Sequence, residues 1–202
     1  MAKLQQELNG EYLDLTLTAN TKWYNGSGNK KTATFYAIRR LNADSQALIA
    51  PATWYLGGVP GCGVVMPLHT TYVAERGSQH PNTTDGVTRT DEWEGLVGLI
   101  YTSDFGYASA NTSCAADMTV ANACTDNWMN SYGWTISPSN TSGTSGKTAS
   151  SGKLNNNGVN GVNPVRPAVY LVSDVLMGPK DINDTTNALG SSGNPYIFLN
   201  NE

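Results

Sequence analysis

Between Ile136 and Val159 the chain carries one aliphatic side chain larger than alanine, Leu154, in a run of Ser, Thr, Gly and Asn. Folding must offset a backbone entropy loss of about 1 to 2 kcal/mol per residue, chiefly by burying apolar surface. A segment of this composition cannot do so alone. It has to rest on a core built by the remainder of the chain. We therefore read residues 134–164 as a polar binding-loop region on one domain spanning all 202 residues.

The core-building residues lie on either side of that tract. Trp93-Glu94-Gly95 leading into Leu96-Val97-Gly98-Leu99-Ile100-Tyr101 reads as a buried strand, and Thr53-Trp54-Tyr55-Leu56 before Gly57-Gly58 as a short strand ending in a turn. Thr70-Thr71-Tyr72-Val73-Ala74 reads as a strand on the same grounds, and so do Val165 to Val172, despite Pro167, and Tyr196 to Leu199. Leu13, Leu15 and Leu17 alternate with polar residues, the period of a strand. Residues 3–13 suit a short helix, and Thr32 to Ile49 carries Phe35, Ile38, Leu41 and Leu48 near helical spacing until Pro51. Ser78 to Asp91 has no periodicity and reads as a surface loop. Strands and helices mix without βαβ alternation. That points to an α+β fold with short antiparallel strands, one or two helices and long loops.

Charge then removes whole classes of partner. Only 14% of residues are charged, against about 25% in ordinary domains, with 12 basic and 16 acidic residues and a net charge of −4. No basic cluster exceeds Lys30-Lys31 and Arg39-Arg40, so no nucleic-acid partner is expected. The longest apolar stretches, Ala47 to Ala52 and Leu96 to Tyr101, fall far short of the roughly 18 to 20 residues that span a bilayer. Met1 to Glu7 shows neither an apolar core nor a cleavage site, so no signal peptide is read there.

Little in the sequence points to catalysis. Neither His69 nor His80 has a carboxylate at the spacing of a metal face or a catalytic triad, and no nucleophile-elbow, zinc-protease, P-loop or dinucleotide motif occurs. We expect no enzyme and no cofactor. Calcium is the one alternative, since Asp181-Ile182-Asn183-Asp184 offers two carboxylates and an amide, fewer ligands than an EF-hand loop supplies. Cys114 and Cys124 enclose a short, helix-compatible segment that can close as a local disulfide or leave two buried thiols, with Cys62 over. Such a disulfide implies an oxidising, extracellular setting.

Aromatic residues give the best pointer to a surface. Trp128, Tyr132 and Trp134 directly precede the polar tract, and stiff rings beside adaptable Asn and Ser donors are the mixture that binding surfaces favour. The candidate ligand-binding residues are Asn130, Tyr132, Trp134, Asn140, Asn155, Asn156, Asn157 and Asn160. Trp128, between Cys124 and Met129, reads instead as a core anchor. Arg166 reads as an ion-pair partner or a donor to a backbone carbonyl.

The segments Ala52-Thr53-Trp54-Tyr55-Leu56-Gly57-Gly58, Tyr72-Val73-Ala74-Glu75-Arg76-Gly77 and Trp93 to Ala108 carry a family resemblance. Cys114, Cys124 with Asn127-Trp128-Met129, Trp134 to Pro138, Val165 to Leu171 and Gly193-Asn194-Pro195-Tyr196 continue it in order. The chain resembles the C-terminal ectodomain of type IV pilin-like proteins from gut Firmicutes and related bacteria. That resemblance implies a location outside the cell or on its surface, and a Cys114–Cys124 staple. It also implies membrane attachment only through a hydrophobic N-terminal helix missing from this chain, of which residues 1–20 would be a remnant. The implied partners are a protein or glycan ligand, or other pilin subunits.

The chain is also similar to the C-type-lectin-like fold of formylglycine-generating-enzyme relatives and of variable proteins diversified by retroelements. In the latter, mutagenesis directed at adenines yields Asn, Ser, Thr, Tyr, Asp and Gly at binding positions, the composition of Asn130 to Asn163. No cysteine follows Cys124, so the enzymes' copper-binding role does not carry over. The functional expectation is an adhesion or ligand-recognition domain. A structural pilin subunit and a phage receptor-binding variable protein are the alternatives.

Overall fold

The computed structural model describes residues 8–10, 21–24, 30–33, 43–59, 64–77, 92–129, 133–139, 145–150, 152–158, 163–173, 175–187, 193–194 and 196–199. The expected strand at Leu13 to Leu17 and the expected loop at Ser78 to Asp91 lie outside them, as does most of the expected helix over 3–13.

Strands β1 (Thr21–Tyr24) and β2 (Lys30–Ala33) form an antiparallel hairpin. Helix α1 (Ala43–Ala47) and strand β3 (Ile49–Ala50) follow, so of the helix expected over Thr32 to Ile49 only Ala43–Ala47 is helical among the described residues. Thr32 lies in β2 and Ile49 in β3, and residues 34–42 lie outside the described residues. Apolar spacing alone suggested it. Ile49 and Ala50 instead pair with Leu171 and Tyr170 of β10 (Pro167–Leu171), and sheet pairing overrides the local helical pattern. The other side of β10 pairs with β6 (Val97–Leu99), so a three-stranded antiparallel sheet runs β3-β10-β6.

The expected strand over Trp93 to Tyr101 divides at Leu96. Its first part, β5 (Glu92–Gly95), pairs with β4 (Ala52–Tyr55), and β6 joins the other sheet. Asn9 occupies the break. Its Oδ1 accepts from the Leu96 and Val97 amides, both at 2.9 Å, and its Nδ2 donates to the Val97 carbonyl at 2.7 Å, replacing ladder bonds lost at the kink. Trp54 packs between Tyr101 and Tyr170, with ring centroids 6.3 and 5.1 Å away. A Cβ at Gly98 would lie 2.5 Å from the Trp54 ring, so this close approach requires glycine.

Residues 70–74 form not a strand but the middle of α2 (Leu68–Glu75). Their β-branched and aromatic side chains favour a strand locally, yet Leu68, Thr71 and Glu75 make a buried stripe at helical spacing. Two further helices follow, α3 (Thr102–Tyr107) and α4 (Thr112–Ala116). The polar tract is a meander, not a loop: β7 (Gly133–Pro138), β8 (Ser145–Ser150) and β9 (Lys153–Gly158) pair in that order. Strands β11 (Leu176–Pro179) and β12 (Tyr196–Leu199) close the described chain as an antiparallel pair. The architecture is α+β with short antiparallel strands, as the sequence implied.

Two buried clusters hold these elements together. Val59, Met66, Leu68, Phe105, Met118 and Leu154 belong to the larger, around the Cys114–Cys124 disulfide. Leu8, Val97 and Leu99 form the smaller, with Trp134, Ile136 and Val169 packed against it. Strand β7 has two inner faces: Thr135 and Ser137 are buried on one, while the alternate residues Trp134 and Ile136 meet the smaller cluster on the other.

Glu75 is fully buried at the junction of α2, α3 and β7. Helix α3 begins with Tyr101 in the N-cap position, which supplies no capping side chain, so its first amides need acceptors from elsewhere. The Glu75 carboxylate provides them. Oε1 accepts from the Thr102 amide at 2.7 Å and from the hydroxyls of Thr102 and Ser137, and Oε2 accepts from the Ser103 amide at 3.2 Å. The Glu75 carbonyl accepts from the Gly57 amide at 3.0 Å, where a Cβ on residue 57 would lie 2.4 Å from the Ala74 oxygen.

Burial pushes the Glu75 pKa above its ordinary 4.5, outweighing the hydrogen bonds from Ser103, Ser137 and Thr102 that pull it down. The folded protein therefore holds this proton more tightly than the unfolded chain. The stabilisation from protonating Glu75 is complete below about pH 4.5 and is lost as pH rises through the elevated folded value. Glu75→Gln should remove that slope from the difference between wild-type and variant urea midpoints measured from pH 4 to pH 8. The variant should also lose about 1 to 3 kcal/mol at neutral pH, because its amide turns a donor toward the Ser103 N–H. An unchanged pH slope would show that Glu75 does not titrate in this window.

Candidate recognition surface

The sequence-predicted residues separate into three groups in the structure. Asn130, Tyr132, Asn140 and Asn160 lie outside the described residues. Trp134 is packed against the Leu8, Val97 and Leu99 cluster, so its ring serves the core. Asn155, Asn156 and Asn157 sit on β9, where side chains alternate between faces. Leu154 enters the larger cluster, and Asn156 shares its face, with a buried Oδ1. Asn155 and Asn157 take the opposite, half-exposed face, and Asn157 Nδ2 donates to Asn163 Oδ1 at 3.2 Å. Only these two of the three asparagines project away from the core.

Trp128 corrects the sequence reading in the other direction. Expected in the core, it is 81% exposed, the most exposed large hydrophobic side chain among the described residues. The immediate neighbours took the core positions instead. Asn127 is buried, its Nδ2 donating to the Phe105 carbonyl and its Oδ1 accepting from the Met129 amide at 2.8 Å. Met129 packs against the larger cluster, and its carbonyl accepts from Arg166 Nη1 at 2.9 Å, so Arg166 is the backbone-carbonyl donor the sequence suggested. The proximity of Cys124 and Met129 signalled a buried segment correctly but could not say which side chain of the turn points inward.

The ground beneath Trp128 is tied down on several sides. Cys124 is disulfide-bonded to Cys114, and both are fully buried. The Cys124 amide donates to the Gly152 carbonyl at 2.8 Å and the Leu154 amide to the Met118 carbonyl at 2.7 Å, which stitches the turns of residues 117–129 to the start of β9. Asp126 accepts from the Ser109 hydroxyl and from the Ala110 amide at 2.9 Å, and the Ser109 bond leads in holding its pKa below the usual carboxylate range. Asp117 accepts from Thr119 and from the Met66 amide; partial burial opposes these bonds, yet they keep its pKa low. A rigidly mounted, exposed indole is a preorganised contact, since little of its backbone freedom remains to be lost on binding.

A second group of aromatic side chains surrounds Arg76 at the end of α2. The guanidinium carbon lies 3.8 Å from the Tyr72 ring centre and 4.5 Å from that of Tyr101. Tyr101 is buried against Trp54; burial pushes its hydroxyl pKa up to about 12, and that hydroxyl accepts from the Tyr55 amide at 2.6 Å. Asp104 Oδ2 accepts from the Tyr101 amide at 2.9 Å, the return half of a capping box, and burial raises its pKa.

Among the described residues no group of three or more His, Cys, Asp or Glu side chains is placed to hold a metal ion. Asp181 and Asp184 are spent on local turns, accepting from the amides of Asn183, Thr186 and Asn187. No described helix is long and apolar enough to cross a membrane. No family model, curated protein or solved structure matches the chain.

The ten-residue separation of the cysteines sets the worth of the staple beneath Trp128. Replacing both with alanine should lower stability by about 2 to 3 kcal/mol on the chain-entropy estimate for a loop of this length. Paired urea denaturation curves of the two oxidised proteins would measure it, and coincident curves would assign the staple no role in holding the turn.

Proposed function

We propose that this protein is an extracellular, pilin-like recognition domain that binds a protein or glycan ligand through Trp128 and the outward asparagines of β9. Trp128 carries the reading: a large indole stands 81% exposed between two residues that are themselves locked into the core. Covering a hydrophobic side chain that stands in water on a rigid turn is favourable by its buried apolar area, so a partner that packs on it gains affinity. The neutral polar character of Asn155 and Asn157 beside β8 suits hydrogen bonding without charge. The protein would act at a cell surface, on an anchored stalk or filament.

Diversification by a retroelement is the second reading, and the β9 alternation favours it. Leu154 supplies the tract's aliphatic contribution to the core, so Asn155 and Asn157 can change without loss of apolar packing, although Asn157 would give up its hydrogen bond to Asn163. Sequencing the gene across its source population should then show substitutions at codons 155 and 157 while Leu154, Trp134 and Arg166 stay fixed. Even, sparse variation would remove this reading and leave a fixed adhesin or filament subunit.

The test of recognition itself is a screen of the domain against immobilised glycans and surface proteins, repeated with Trp128→Ala. The variant should keep its thermal midpoint, because exposed substitutions usually change stability by less than about 0.5 kcal/mol. It should lose at least tenfold in affinity, as truncation of an aromatic anchor does. Equal binding by both proteins would remove Trp128 from the site.

A further inference from the structure

The outward face of α2 carries His69, Tyr72, Val73 and Arg76, at helical spacing and opposite the buried stripe of Leu68, Thr71 and Glu75. Tyr72 meets Tyr107 of α3 edge to face, with centroids 6.1 Å apart and planes at 82°, and Tyr107 is 58% exposed. Arg76 is held between the Tyr72 and Tyr101 rings with its side chain 24% exposed. Its Nη1 makes two long hydrogen bonds, 3.4 Å to the Tyr72 carbonyl and 3.4 Å to the Ser103 hydroxyl, and stands 3.7 Å from Glu75 Oε2. Nε and Nη2 make no hydrogen bond among the described residues, which leaves that donor edge of the fork without a described acceptor.

We propose that Arg76, Tyr72 and Tyr107 form a site for a sugar bearing a single carboxylate, a hexuronate. A planar guanidinium fixed by flanking rings has already lost the rotamer freedom that a carboxylate-binding fork must lose, and its Nε and Nη2 hydrogens match the two oxygens of a carboxylate. One free fork, with Glu75 and Asp104 close by and an overall charge of −4, suits one anionic group; a phosphate dianion or an extended polyanion would need more cations. Glu75 does not consume the guanidinium, because its oxygens are engaged by the donors of α3 and β7. The exposed Tyr72 and Tyr107 rings offer an apolar shelf for the body of the ligand. A peptide is disfavoured, since the backbone of a helix has no open ladder of donors and acceptors for an extended chain.

The proposal rests on Arg76, Tyr72 and Tyr107 and not on the function proposed for Trp128. Calorimetric or NMR titration of the intact domain with methyl glucuronide, and with methyl glucoside as the neutral counterpart, tests it. The glucuronide should bind at least tenfold more tightly than the glucoside. Arg76→Lys, which keeps a cation beside Glu75 but loses the fork, should weaken glucuronide binding about tenfold. Tyr107→Ala should weaken it while leaving the thermal midpoint unchanged, and Trp128→Ala should leave it intact. Equal affinity for the two sugars, wild-type binding by Tyr107→Ala, or binding of an acidic peptide in place of the glucuronide would each overturn the assignment.

Discussion

A buried carboxylate sets the arrangement of the helical half of this protein. Helix α3 starts at a tyrosine that supplies no capping side chain, and Glu75 of α2 gives its first two amides their acceptor. The helix N-terminus in turn stabilises the negative charge through its aligned dipoles and its free N–H groups. Ser137 adds a hydroxyl from β7, so one side chain joins two helices and a sheet. Burying an ionisable group without such donors costs several kcal/mol, and burial raises the Glu75 pKa despite the bonds from Ser103, Ser137 and Thr102. The cost makes the junction selective: α2, α3 and β7 can meet in this register only if every donor arrives together.

The polar meander depends on that junction and on one leucine. Strands β8 and β9 have few apolar residues in sequence, and among the described side chains Leu154 of β9 joins the larger cluster. Their remaining stability comes from ladder bonds to β7, whose own place is fixed by Ser137 on one face and by Trp134 and Ile136 on the other. An outer strand held by its neighbour's register can carry almost any polar side chain on its outward face. The segment that the sequence marked as unable to fold alone is accordingly folded, but by borrowing.

Much of the sheet framework was legible because it rests on local signals. Strand β4 ends at Tyr55, just before the Gly57-Gly58 pair that signalled its end, and β10 forms with Pro167 as its first residue, where the ladder tolerates a proline. The errors share one cause. Thr70 to Ala74 has the composition of a strand, and only the distant partners of Glu75 make helix the better solution. The break at Leu96 needed Asn9, some 87 residues away in sequence, to be seen as a strand partner. Pro67 before α2 and Gly77 after it were the local signals that bracketed the helix.

The candidate site was less legible than the fold, and for a different reason. Composition points to this stretch of chain but gives no direction to individual side chains, and Trp134 is packed against the core while Trp128 is exposed, the reverse of the sequence expectation. Strand alternation settles Trp134: with Thr135 and Ser137 buried on one face and Ser137 bonded to Glu75, its ring faces the Leu8 cluster on the other. Trp128 is settled by competition within a turn. Asn127 can satisfy the Phe105 carbonyl and the Met129 amide, which an indole cannot do at once, and Met129 fills the irregular apolar gap more readily than a rigid ring. The indole is left outside because its neighbours are better suited to the interior, and the bonds that place them are the same ones that hold it rigid.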